Sequence, residues 1–175
     1  MAKWVIDSAH SNADFSVRHM MVSTVRGTFD RLGGEIDFDP ANPSAGSVVA
    51  HIETASVNTG VADRDNHLRS GDFFESEKFP HMTFTSTQVE VTGEKQGKII
   101  GELTIRDVTK PVVLDVEYFG QIASPFGDQR VGFSASTSIN REDFGLTWNQ
   151  ALEAGGLLVS KDVKIMLEIQ AAHRA

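Results

Sequence analysis

Apolar side chains recur at every second position through most of this chain. Phe15, Val17 and His19 alternate with Ser16 and Arg18, and Val112, Leu114, Val116 and Tyr118 alternate with Val113, Asp115, Glu117 and Phe119. Val131, Phe133, Ala135, Thr137 and Ile139 repeat the pattern against Gly132, Ser134, Ser136 and Ser138, as do Val163, Ile165, Leu167 and Ile169 against Lys164, Met166, Glu168 and Gln170. A period of two sends alternate side chains to opposite faces of an extended chain, so each run reads as a strand with one buried face. The β-branched and aromatic content of the runs supports that reading. Weaker versions cover residues 25–39, 47–53, 82–91 and 99–107; with the opening Trp4-Val5-Ile6-Asp7 segment the chain holds about eight or nine strands.

Turn chemistry separates the runs at residues 39–46, 92–97, 107–111 and 124–128, and Gly33-Gly34 predicts a bulge or sharp bend inside the third. Helical signal is scarce. Residues 61–70 read as one short helix stopped by Gly71, with Asp65 and Arg69 spaced to pair across a turn. Asp72-Phe73-Phe74-Glu75 has capping-box form, and Asn140 reads as the cap of a turn through Phe144 that ends at Gly145. The expectation is an all-β single domain over residues 1–175, folded as a sandwich or a closed barrel, with consecutive meanders favouring closure because a barrel has no free edge.

Composition narrows the function. Sixteen Lys and Arg against 24 Asp and Glu leave a net charge of −8, which argues against duplex nucleic acid or an anionic membrane as the main partner. The chain has no cysteine, so thiol chemistry, cysteine-ligated metals and disulfides are out. Neither a secretory leader nor an apolar run of transmembrane length is visible, so the expected location is cytoplasmic, with no integral membrane segment.

Sequence motifs of hydrolases, metalloproteases, nucleotide-binding loops and dinucleotide folds are missing, and no cofactor is implied. Asp63-Arg64-Asp65-Asn66-His67 opens like a calcium loop but has Leu68 where glycine is required. Asp63 and His67 are spaced as a helical ligand pair without a second such pair, so no metal site is expected. Asp7, His10, Asp65, His67 and Arg141 read better as a polar network that pins loops than as catalytic groups. Phe73, Phe74 and Phe79 would plug a barrel end or line a ligand mouth. Phe144, Leu146 and Trp148, continuing to Leu152 and Gly155-Gly156, form an apolar connection that either folds over the core or gates a cavity across residues 146–158.

Four blocks resemble the YceI-like family. They are Trp4-Val5-Ile6-Asp7-Ser8-Ala9-His10-Ser11 with Phe15-Ser16-Val17-Arg18-His19-Met20 and Val25-Arg26-Gly27-Thr28-Phe29; Asp63-Arg64-Asp65-Asn66-His67-Leu68-Arg69-Ser70-Gly71-Asp72-Phe73-Phe74 with Phe79-Pro80; residues 101–111; and residues 139–145. Asp107 and Ser8 depart from the family's habit, both in turns. The resemblance implies an extended antiparallel eight-stranded lipocalin-like barrel with one or two short helices. It also implies a lumen that binds a long-chain isoprenoid or comparable fatty amphiphile for transport, storage or sequestration, and a homodimer. Ligand contacts in that family are apolar, so the candidate binding residues are those on the apolar strand faces: Phe15, Val17, Ile36, Phe38, Phe84, Leu103, Ile105, Phe133 and Ile165. Phe144, Leu146 and Trp148 join them from the apolar connection, and His19 and His67 are candidates to meet a head group together with Arg141, for which a structural role ranks first. The competing readings are an enzyme on an isoprenoid or acyl substrate, with His19, Asp65 and His67 as acid and base, and a structural or stress-related protein whose barrel is filled.

Overall fold

The computed structural model describes residues 1–150, 152 and 158–173. Its strands are β1 (Lys3–Ile6), β2 (Asn12–His19), β3 (Ser23–Phe29), β4 (Leu32–Asp37), β5 (Ser47–Glu53), β6 (Val57–Asn58), β7 (His81–Val91), β8 (Gln96–Ile105), β9 (Val108–Ala123), β10 (Gln129–Asn140) and β11 (Val159–His173). One α-helix, α1 (Ala62–Arg69), follows β6.

Every strand pairing is antiparallel, and eight strands close into a ring: β1, β4, β5, β7, β8, β9, β10 and β11, with β11 returning to β1 through Val5 opposite Ala172. The three remaining strands extend the walls rather than adding a layer. β2 continues the line of β1 along the same edge of β11, where Ala13 faces Leu167, and β3 and β6 continue the lines of β4 and β5. Asp7 makes the first of these steps: its carboxylate accepts from the Ala9 N–H and caps a 3-10 turn over Ser8–His10, after which the chain resumes on β11. The second step falls at Asp30-Arg31, whose two backbone N–H groups donate to Ser56 O (3.2 Å) and Ser56 Oγ (3.1 Å).

Gly33 and Gly34 lie within β4 and do not interrupt it. Gly34 has φ +143, and a Cβ there would strike the Val49 carbonyl on β5, so the residue permits a close backbone approach. α1 forms where expected, but Asp65 and Arg69 do not pair with each other. Asp65 accepts from Thr59 N (2.8 Å) and Thr59 Oγ1 (2.6 Å), while Arg69 donates to Ala55 O and Val57 O at 2.9 and 3.1 Å. The helix is thereby tied to the chain around β6, with one further bond along its own face, from Arg69 Nη1 to Asn66 Oδ1 at 3.1 Å. Residues 71–74 form turns, and Asp72 spends its carboxylate on His67 instead of capping a helix. Asn140 does cap the turn at Arg141–Phe144, accepting from Glu142 N, and Gly145 ends it with φ +79.

The apolar faces meet in two clusters. The larger surrounds Phe29, Val57, Met82, Ile105, Val112 and Phe144 beside α1. The smaller, Trp4, Phe38, Val131 and Ala171, packs toward the opposite end.

Candidate functional site

Between those clusters the inward faces enclose an apolar cavity of about 560 Å³, inside the range of small-molecule sites. Register places its two ends. Pro40, Pro43, Glu94 and Lys95 border it where β4 turns to β5 and β7 turns to β8; His19, Arg64, His67 and Trp148 border it at the α1 end. β9, β10 and β11 contribute alternate residues (Val112, Leu114, Val116 and Tyr118 on the first of them), and β7 and β8 add runs such as Met82-Thr83-Phe84, so most of the inner surface is carbon.

The cavity brings together Phe15, Val17, Ile36, Phe38, Phe84 and Leu103, all singled out on their strand faces. Ile105, Phe133, Ile165, Leu146 and Trp148 line it too, as do His19 and His67. Phe144 does not. It is 2% exposed within the larger core cluster and does not reach the lumen surface. Gly155 and Gly156, the hinge expected for a gate over residues 146–158, lie outside the described residues.

Several lining groups escape a strand-face reading. Phe29 and Phe74 meet edge to face with centroids 5.5 Å apart, and Tyr118 joins Phe38 and Phe133 in a cluster with centroids 5.1 to 5.3 Å apart. The alternation through Val112, Leu114 and Val116 already carried Tyr118 on the same face; burial pushes its phenol up, so it stays neutral. Gly27 and Gly101 leave no side chain where the Phe15 and Phe84 rings lie across the neighbouring strand, since a Cβ at either glycine would strike the ring. Ring and glycine together set how far each aromatic lies over the wall, a signal visible only once the register is known.

At the α1 end, His67, Phe73 and Trp148 form an aromatic group with centroids 4.6 to 5.6 Å apart. His67 Nε2 stands 2.9 Å from Asp72 Oδ2, which fixes the ring against Trp148. Arg141, 3% exposed, donates Nε–H to Ser160 O (2.8 Å), Nη1–H to Leu146 O (2.6 Å) and Trp148 O (2.9 Å), and Nη2–H to Val159 O (3.3 Å). Burial lowers its proton affinity, and Glu142 offsets part of that. Its donors are spent on backbone carbonyls that tie residues 146 and 148 to the start of β11. Arg64, also at this end, donates to Thr59 Oγ1 (2.7 Å) and Thr59 O (2.8 Å). The expected polar network therefore divides into separate pairs: Asp7 with His10 and Arg130, Asp65 with Thr59, His67 with Asp72. Of the three acid and base candidates, Asp65 is engaged by Thr59 and His67 by Asp72, while His19 lines the cavity. Among the described residues no group of three or more His, Asp or Glu is placed to hold a metal ion. Nor is any described helix long and apolar enough to cross a membrane.

The chain matches the family model described as YceI-like domain over residues 4–171. A UPF0312 protein of Staphylococcus aureus (strain MSSA476) is 39% identical over 165 residues, covering 94% of both chains. The crystal structure of a Campylobacter jejuni YceI protein superposes with a TM-score of 0.77 at 37% identity, covering 90% of each chain. A polyisoprenoid-binding domain from Saccharophagus degradans, implicated in plant cell wall breakdown, superposes with a TM-score of 0.73 over 99% of each chain at 18% identity, a likeness of fold.

Proposed function

The chain belongs to the YceI-like family, and from that premise we propose that it holds a long-chain isoprenoid or comparable amphiphile in its barrel, as a carrier or sequestering protein rather than an enzyme. One observation carries the reading: the continuous carbon-lined cavity of about 560 Å³ inside a closed wall. The polyisoprenoid-binding character of the Saccharophagus degradans domain of like fold supports the choice of ligand class. An uncharged tail meets no penalty from a net charge of −8.

Phe15, Phe84, Phe133 and Ile165 hold the tail, and the head group stands at the α1 end beside His19, Arg64 and His67. Burying one isoprene unit is worth about 3–4 kcal/mol gross, at roughly 0.8 kcal/mol per carbon. Eight units would reach on the order of 25–30 kcal/mol, above the ceiling of about 18–21 for real complexes, so tail ordering and incomplete burial cancel much of the gain. Affinity accordingly follows tail length more steeply than head-group chemistry.

Mass spectrometry of an organic extract of the purified protein tests this directly. The expected result is a long-chain amphiphile in near-stoichiometric amount. Titration with prenyl alcohols of increasing length should then give rising affinity that Phe133→Ala weakens in the folded protein. An empty extract together with no uptake at any length would refute the reading.

A further inference from the structure

The β2–β3 hairpin carries apolar side chains that the lumen does not use. Met20, Met21 and Val22 at its tip are 46%, 57% and 78% exposed. The tip is a tight turn with two successive left-handed residues: Val22 N–H donates to His19 O at 3.2 Å, and Met20 and Met21 have φ of 52° and 65°. Those central positions favour asparagine and glycine, because a side chain in the left-handed region strains against its own backbone. Here two methionines occupy them, and their exposure leaves little packing inside the chain to offset the strain. A sequence that breaks a local rule without a folded-state gain marks a place where something outside the fold supplies the gain.

Position and charge indicate what that is. His19, next to the tip, and Val25, three residues beyond it, both line the α1 end of the cavity. Met20 N–H donates to Leu158 O at 2.7 Å, fixing the tip beside the start of β11. Behind it, register sets Arg18 opposite Thr24, and sets Arg26 and Lys164 on either side of Ser16. All three cations are exposed, as is Asp162 on β11, while Lys161 is engaged by Glu142 at 3.7 Å. Three cations thus back an apolar tip on a molecule whose net charge is −8.

We propose that this hairpin docks the α1 end of the barrel onto an anionic lipid bilayer. Met20, Met21 and Val22 enter the boundary between head groups and acyl chains, and Arg18, Arg26 and Lys164 face the lipid phosphates. Methionine suits the task, since its flexible thioether adapts to an irregular apolar surroundings. The net negative charge disfavours docking through the rest of the surface and so orients the approach. The proposal differs from the expectation drawn from net charge because three exposed cations, Arg18, Arg26 and Lys164, cluster behind the tip and outnumber Asp14 and Asp162 beside them. It rests on the lumen reading, in that a lipid cargo enters or leaves through the end brought to the bilayer.

The test is flotation of the whole protein with vesicles of phosphatidylcholine, with and without phosphatidylglycerol, beside solution uptake of a prenyl alcohol in the absence of vesicles. The expected result is binding to the phosphatidylglycerol vesicles that weakens as salt rises. Replacing Met20→Asn and Met21→Gly together should lower that binding at least tenfold while raising the melting temperature, since the new pair fits the turn. Arg26→Gln and Lys164→Gln should each lower it by about fivefold, with no change on neutral vesicles. Both sets should leave solution uptake of the alcohol intact. A turn variant that binds vesicles as the parent does, or a parent that binds neither kind, overturns the proposal. A dimer that forms without vesicles and is abolished by the turn variant, with no vesicle binding, assigns the tip to a second copy and overturns it too. Vesicle binding by a protein that takes up no amphiphile removes the lumen reading and leaves the docking surface standing.

Discussion

The two ends of the barrel are held together by opposite chemistry. At one end Trp4, Phe38, Val131 and Ala171 pack mainly carbon against carbon, with one buried hydrogen bond from Trp4 Nε1–H to Phe38 O, and the charges lie beside the cluster, where Arg130 bridges Asp7 at 2.6 Å and Asp128 at 3.0 Å. At the other end a charge lies inside, where Arg141 gathers the carbonyls of Leu146, Trp148, Val159 and Ser160. Packing of carbon sets no direction and opens only by exposing apolar surface to water. Hydrogen bonds to particular carbonyls fix where a loop stands, so Trp148 is held over the cavity by geometry rather than by greasiness. The first end carries a packed plug in its wall, beside the loops of Pro40, Pro43, Glu94 and Lys95 that border the cavity there, and the second carries a frame, which a ligand that enters through the α1 end meets.

The sharpest way to break that contrast is at the plug. Trp4→Ala should destabilise the protein by about 3–5 kcal/mol, because the neighbouring strands cannot collapse into the space of a fully buried indole. A urea titration measures the loss. Trp4→Phe, which keeps much of the carbon but loses the Nε1–H bond to Phe38 O at 3.1 Å, should cost clearly less; equal losses would mean that the hydrogen bond, not packing, holds the plug.

At the frame the effect should be smaller and local. Arg141→Leu leaves buried carbonyls unpaired and should cost about 2–3 kcal/mol, some of them recovering water as the loop loosens. Arg141→Lys should rescue little, since a single ammonium cannot span carbonyls that the planar guanidinium reaches from three nitrogens. Amide hydrogen exchange at Leu146 and Trp148 should quicken in both variants. Unchanged exchange there would separate the loop from Arg141.

The smallest effect belongs to the ion pairs outside the plug. Hydrogen bonds from His10, then Arg130, hold the Asp7 carboxyl below its ordinary value of 3.8. A carboxyl with a depressed folded-state pKa contributes stability that is present above the unfolded value and lost as pH falls through the folded one. The stability difference between the parent and Asp7→Asn should therefore be level from pH 5 to about 7 and shrink below about 3.8. Unfolding curves at stepped pH check it, and a difference that stays level through acidification would mean that Asp7 acts through its cap on Ala9 rather than through its charge.

The alternating pattern by itself determined the strands, the face that each presents inward, and therefore nearly all of the carbon in the lumen wall. Phe15, Phe84, Phe133 and Ile165 were legible because a period of two is a local property that survives in the linear order. Asn140 and Gly145 were legible for the same reason, since a cap acts within one turn. Tertiary structure alone decided closure, which joins Val5 to Ala172 across almost the whole chain. It decided that Phe144 is buried in the core away from the lumen while Leu146, two residues on, reaches the cavity. Tertiary structure also settled the partners of Asp65 and Arg141, which took Thr59 and backbone carbonyls rather than the charges nearest in sequence. The physical reason is range. Facing and capping depend on neighbours a few residues away, whereas an open lumen depends on ring circumference against the summed volume of side chains from every strand, and a buried charge takes whichever acceptor the closed wall brings within 3 Å.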